Sequence, residues 1–265
     1  MVFEFANNWG LEFWHIFVII VIAGFFQGFI NTIAGAGTVI TYSLFVALGM
    51  PSNVANGTVR IGVLAQTMIS SFKFYKGNKL DLKKGLILGI PIVLGSIIGA
   101  GIAVNIDKKT FELIVAILLS LLLVTIWLNP KRWIEGKSAE YQRKNSFLQL
   151  LLFLIIGFYG GFIHIGVGIF LLSALVLNAG YDVVKANAIK VFLVLMYIPV
   201  VLVIFMISDK IDYLPGIIVA IGNVGGGIIG ANLAIKKGAG FVRILVICII
   251  IVFVLHLFGF WRLIF

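Results

Sequence analysis

The chain has 265 residues, of which 62% are hydrophobic and 11% charged, with one cysteine and a formal net charge of +10. Soluble domains carry about 25% charged residues, so a soluble fold is excluded, and a lone Cys248 in an apolar run excludes a disulfide framework or redox pair. The basic residues lie between apolar runs, where they read as cytoplasmic loops facing anionic lipid, with no nucleic acid as partner.

In chain order, the first apolar run covers 12–33 and follows a segment with Glu4 and Glu12 but no Lys or Arg. A signal peptide starts basic, so this run is read as a retained first helix. Further runs fall at 38–49, 54–72, 85–104 and 110–128, then at 147–165, 168–180, 184–207, 214–235 and 241–260. Several approach the ~20 residues that cross a bilayer, which makes the fold an all-α polytopic transmembrane bundle. The longest polar stretch, "NPKRWIEGKSAEYQRKNS" at 129–146, is the linker between repeat 1–128 and repeat 147–265. Trp9, Trp14, Trp127, Trp133 and Trp261, with His15 and His256, fall near run ends and suit the membrane interface.

The two sets of runs resemble each other. Gly24 and Gly28 match Gly157 and Gly161 at an offset of 133. From Gly35/Gly166 and Gly37/Gly168 onward the offset is 131, through Gly49/Gly180, Asn56/Asn187, Gly85/Gly216, Gly95/Gly226 and Gly99/Gly230. Loop 73–84 carries five lysines and should be cytoplasmic, whereas its partner "SDKIDY" at 208–213 has one lysine against two aspartates and should face outward. The bias swaps between copies, as inverted repeats require. Inversion needs an odd number of crossings per copy, which predicts five plus five spans with both termini outside. The alternative is four spans per copy with a re-entrant hairpin at 24–49 and parallel repeats.

"AGAG" at 34–37 and "IGVG" at 165–168 interrupt helices at matched places, the pattern expected of a transporter site. A helix broken inside the membrane frees N–H groups and a positive dipole end, both suited to an anion. Gly35, Gly37 and Thr38 in one copy and Gly166 and Gly168 in the other are therefore candidate site residues. Gly24/Gly28, Gly95/Gly99, Gly157/Gly161 and Gly226/Gly230 have small-xxx-small spacing and read as close helix packing.

"NGTVR" at 56–60 places Asn56, Gly57, Thr58 and Arg60 about two turns into the third run, and "ANAIK" at 186–190 places Asn187 and Lys190 at similar depth. Thr67 and Tyr197 continue the two stripes. A cation at this depth is a functional hypothesis by default, weighed against snorkelling to the interface. All ten acidic residues fall in loops, tails or first turns, so neither cation has an evident counter-ion and the pair asks for a negative guest. His164, aligned with Asn31, is the one titrating group beside the site, either proton-linked or a structural histidine. The chain shows no paired carboxylates, HExxH, CxxC or Walker loop, which leaves an enzyme, a bound metal and a cofactor without residues. "GNVGGG" at 222–227 lies inside a span with no βαβ context and is discounted as a nucleotide motif.

The set "GFFQGFINTIAGAG", "LGMPSNVANGTVRIG", a Lys-rich loop and a Gly-rich span, repeated as "GFYGGFIHIGVG" and "LNAGYDVVKANAIKVF", resembles the sulfite exporter TauE/SafE family over essentially the whole chain. The resemblance implies a multi-pass permease of a prokaryotic inner membrane that moves sulfite, organosulfonates or small carboxylates, usually outward. It also implies anion contacts from Gly35, Gly37, Asn56, Thr58 and Arg60. "ANAIK" departs from "ANGTVR", with Lys190 one position before the aligned place. The expectation is a secondary transporter of a small anion by alternating access, with coupling to protons optional and the oligomeric state open. An anion channel and a non-transporting membrane scaffold are the alternatives.

Overall fold

In the computed structural model, residues 12–106, 110 and 147–257 are described, and all regular structure among them is helical. The linker 129–146, the run 110–128 beyond Thr110, and Trp9, Trp127, Trp133 and Trp261 lie outside the described residues. The helices are α1 (Phe13–Ile33), α2 (Thr38–Ala47), α3 (Ser52–Lys76), α4 (Leu82–Asn105), α5 (Phe147–Phe162), α6 (Val167–Ser173), α7 (Val183–Ile207) and α8 (Tyr213–Leu257). A π-helical turn, Ala174–Asn178, continues α6. Gly238 (φ 74°) divides α8 between the two predicted runs 214–235 and 241–260.

Four segments are long and apolar enough to cross a membrane: Phe13–Ile33, Leu82–Asn105, Val183–Ile207 and Tyr213–Val242. Their outer faces carry Trp14, Ile90 and Ile217, all more than half exposed, as a lipid-facing surface requires. α3 is as long but buries Asn56, Thr58, Arg60, Gln66, Thr67, Ser70 and Ser71, so it sits inside the bundle.

Small residues set the packing. A methyl group on Gly24 or Gly28 of α1 would strike the backbone of Val219 or Asn223 in α8, and one on Gly222 or Gly226 would strike α1 in return. Gly95 and Gly99 of α4 meet the backbone of α5 at Leu154 and Phe158, and Gly157 and Gly161 meet α4 at Ile92 and Ser96. In both pairs the contacts rise together along the two helices, so α1 runs parallel to α8 and α4 parallel to α5. These are the largest helix–helix interfaces, and each joins the first helix of one half to the fourth helix of the other. "GNVGGG" is thereby accounted for as packing surface.

α3 and α7 run antiparallel. The start of α3 meets the end of α7, where Gly57 lies against the Lys210 carbonyl and the Phe205 ring. At the opposite end, Tyr181 before α7 donates a 2.7 Å hydrogen bond to Asp81 before α4. Left-handed residues recur at the predicted offset: Gly35 and Gly166, Gly49 and Gly180, and the non-glycines Asn78 and Asp209 (φ 53° and 52°). α2 has ten residues. At 1.5 Å per residue it spans about 15 Å, half the ~30 Å hydrocarbon core. The Thr41 hydroxyl bonds Gln27, so α2 turns back along α1.

Candidate functional site

Both glycine segments break their helices. α1 ends at Ile33, where the Ala34 and Gly35 N–H groups close on the Ile30 carbonyl at 2.7 and 3.1 Å, and Gly35 takes φ +82°. α5 ends at Phe162, and Gly166 (φ +73°) precedes α6. The two breaks touch. A methyl group on Gly35 would overlap the Gly168 backbone, and one on Gly168 would overlap Gly35. The amide of Asn31 holds the first break closed: its Oδ1 accepts from the Gly37 N–H at 3.0 Å and its Nδ2 donates to Thr38 Oγ1 at 3.1 Å. The freed N–H groups are partly consumed by tight turns, Ile40 on the Gly37 carbonyl and Ile169 on the Gly166 carbonyl, each at 3.0 Å.

Each cation reaches across to the broken helix of the other half. Arg60 is fully buried; Nη1 donates to the Gly160 carbonyl at 3.0 Å and Nη2 to the Gly161 carbonyl at 2.9 Å. Asn56 accepts from Nη2 on Oδ1 and donates Nδ2 to the Phe162 carbonyl at 2.9 Å. Lys190 Nζ donates to the Asn31 and Thr32 carbonyls at 3.0 and 3.1 Å and to Asn187 Oδ1 at 2.7 Å. The expected missing counter-ions are thus helix C-termini, whose unsatisfied carbonyls carry about half a negative charge. The Phe205 ring lies 4.9 Å from the Arg60 guanidinium carbon and closes that pocket from α7.

Between the breaks lies a cavity of about 10 Å³, room for about one water, lined by Asn31, Gly35, Gln66, Thr67, His164 and Lys190, with Val167, Gly168, Val191 and Val194. Of the predicted site residues, this brings together Asn31, Gly35, His164, Gly168 and Lys190. Gly37 and Thr38 serve the first break, and Gly166 serves the second. Asn56 and Arg60 hold α5, and Asn187 holds Lys190. Gly57 packs on Lys210, while Thr58 Oγ1 accepts the Asp212 N–H at 2.9 Å, anchoring the start of α8. None of these last five residues lines the cavity.

Gln66 is the polar lining residue that reading the sequence missed, beside the apolar Val167, Val191 and Val194. Its Nε2 donates to Thr32 Oγ1 at 2.9 Å and lies 3.4 Å from Ser70 Oγ, which in turn donates to the Gly227 carbonyl of α8 at 3.2 Å. A glutamine mid-run beside Thr67 was the available signal. Tyr197 was placed on the stripe, and its hydroxyl meets His164 Nδ1 at 2.7 Å.

Residues 20–257 match the family model described as Sulfite exporter TauE/SafE. The chain is 26% identical over 244 residues to a probable membrane transporter protein, ORF9, of Sinorhizobium sp, covering 92% of each chain. It is 26% identical to a probable membrane transporter protein of Haemophilus influenzae, covering 86% of this chain and 89% of the relative. It is 25% identical to the probable membrane transporter protein YfcA of Escherichia coli K12, covering 84% and 82%. No solved structure matches. With its crossing helix breaks, its buried cations and a family match over nearly its whole length, this multi-pass membrane protein belongs to the sulfite exporter TauE/SafE family.

Proposed function

We propose that the chain is a secondary transporter, working as an exporter in the inner membrane of a prokaryote, for a small oxyanion of the sulfite or organosulfonate class. It works by alternating access between two inverted halves. The observation that carries this reading is the contact of Gly35 with Gly168 beside a cavity whose one cation among the described residues, Lys190, has no carboxylate neighbour. The names of the relatives support transport, and the family's name supports sulfite. The recurrence of left-handed residues at an offset of 131 supports duplication, and the antiparallel α3 and α7 support inversion. A hairpin of α1 and α2 adds no net crossing, so α3, α4 and the fifth run leave an odd number per copy. Inversion is therefore compatible with a re-entrant α2.

Lys190 supplies the charge, and Asn31, Gln66, Thr67 and His164 supply the polar wall. Arg60 and Asn56 hold the α5 end that faces it. The cavity has room for about one water, so an oxyanion must part the two breaks to enter, and a closed site of this kind suits a carrier better than an open channel.

The test is a thermal-stability screen of purified protein against sulfite, sulfate, thiosulfate, sulfoacetate, taurine and small carboxylates, followed by counterflow in liposomes. A bound anion at a hundredfold its Kd stabilises the folded state by about 2.7 kcal/mol. Sulfite or a sulfonate is expected to raise Tm, Lys190→Gln to erase that shift, and unlabelled anion inside the vesicle to accelerate labelled influx. No shift and no flux with any of these anions overturns the reading, while flux without acceleration leaves a channel.

A further inference from the structure

His164 does something in the cavity that its counterpart Asn31 does not. Asn31 closes its own break with both ends of its amide. Among the described residues, His164 makes one hydrogen bond, through Nδ1 to the Tyr197 hydroxyl, and Nε2 is left for the cavity that the ring lines. The other side-chain donors there are engaged. All three ammonium hydrogens of Lys190 have acceptors, Gln66 Nε2 serves Thr32 and Ser70, and the Thr67 hydroxyl serves the Val63 carbonyl.

The Tyr197 oxygen can accept Nδ1–H from the neutral ring and from the imidazolium alike, so the ring is held in one place in both charge states and Nε2 is the nitrogen that gains the proton.

We propose that His164 selects the charge of the guest. With a monovalent oxyanion in the cavity, Lys190 completes a neutral pair and His164 stays neutral. With a divalent oxyanion, one negative charge would remain buried without a partner, which a dry interior strongly disfavours. His164 then takes a proton from the water on the loading side and offers Nε2–H to the anion, and the proton leaves with it on the other side. The surrounding titratable groups do not compete for this role. Tyr197 and Lys190 of α7 and Tyr159 of α5 engage His164, the α1 carbonyls and the Ile165 carbonyl. Arg60 of α3 is permanently charged and held on Gly160 and Gly161. The acidic residues among those described, Glu12, Asp81, Asp182, Asp209 and Asp212, all lie outside the helix interiors.

The proposal rests on the oxyanion reading above, and equilibrium binding separates the two. Isothermal titration of the full-length protein with sulfate and with methanesulfonate is run between about pH 6 and 8, on either side of neutrality. Uptake of one proton with the dianion predicts that sulfate affinity falls about tenfold per pH unit, while methanesulfonate affinity stays flat. In His164→Asn, whatever affinity remains, the sulfate slope should vanish, and Lys190→Arg should keep it. A slope that persists in His164→Asn, or wild-type sulfate binding independent of pH, overturns the proposal and leaves the transporter reading standing. If wild type binds neither anion, both fall. Should His164→Asn fail to fold, His164→Gln, another neutral amide, decides: loss of the sulfate slope supports the proposal and an unchanged slope overturns it.

Discussion

Arg60 commits four of its five N–H donors to Asn56, Gly160 and Gly161, so its place in the bundle is that of a cap on a broken helix. Its depth and polarity were legible in "NGTVR". Its partner was not, because the counter-charge is a set of backbone carbonyls about a hundred residues away, which no side-chain pattern announces. The same holds for Lys190 on Asn31 and Thr32. Truncating Arg60→Ala strands the Gly160 and Gly161 carbonyls in a dry interior, at about 1–3 kcal/mol for each orphan. Tm in detergent is expected to drop sharply, and Arg60→Lys, lacking the fork, to recover part of the loss. A melting curve of Arg60→Ala that superposes on wild type removes the capping role.

Helix breaks belong to the next scale. Their positions could be read from i,i+2 glycines ahead of a new apolar run, since few other residues tolerate Gly35's φ of +82°. That the two breaks touch could not be read, because it depends on how α3 and α7 cross. Gly35→Ala combines a left-handed penalty of about 1–2 kcal/mol with a backbone clash on Gly168. It should lower Tm and weaken anion-induced stabilisation together. Gly101→Ala, with nothing within 4 Å of the added methyl, should be neutral or stabilise by about 0.5–1 kcal/mol. Equal melting temperatures for the two variants would remove the break-to-break contact from the account. The start of α4 offers a test by pH. Burial pushes the Asp81 carboxyl up, but the Lys84 N–H, the Tyr181 hydroxyl and the charges of Lys84 and Lys185 outweigh it and hold the carboxyl below the usual range. A lowered folded-state pKa gives stability that is complete above the unfolded value, about 3.9, and is lost as pH falls through the folded one. The Tm gap between wild type and Asp81→Asn should therefore be full near neutral pH and close in acid. A gap that ignores pH would assign the effect to hydrogen-bond geometry and not to charge.

Architecture of the whole molecule was the most legible level in one respect and the least in another. A register of 131 residues pointed to a duplication, and lysine bias to copies that run in opposite directions. Hidden from both was the exchange of partners, α1 against α8 and α4 against α5, which ties each half to the other through glycine faces. Inversion makes a prediction free of any substrate. Asn78 and Asp209 are exposed, share one left-handed conformation and stand 131 apart at the ends of α3 and α7. If the halves are inverted, these two equivalent tips face opposite sides of the membrane. In a background where the single Cys248 is replaced by serine, Asp209→Cys should react with an impermeant maleimide in intact cells. Asn78→Cys should react only once the membrane is opened, because the lysines of its loop hold it on the cytoplasmic side. Labelling of both from one side would make the halves parallel, and a rocking motion of one half against its inverted twin could not then expose a shared cavity alternately to the two faces.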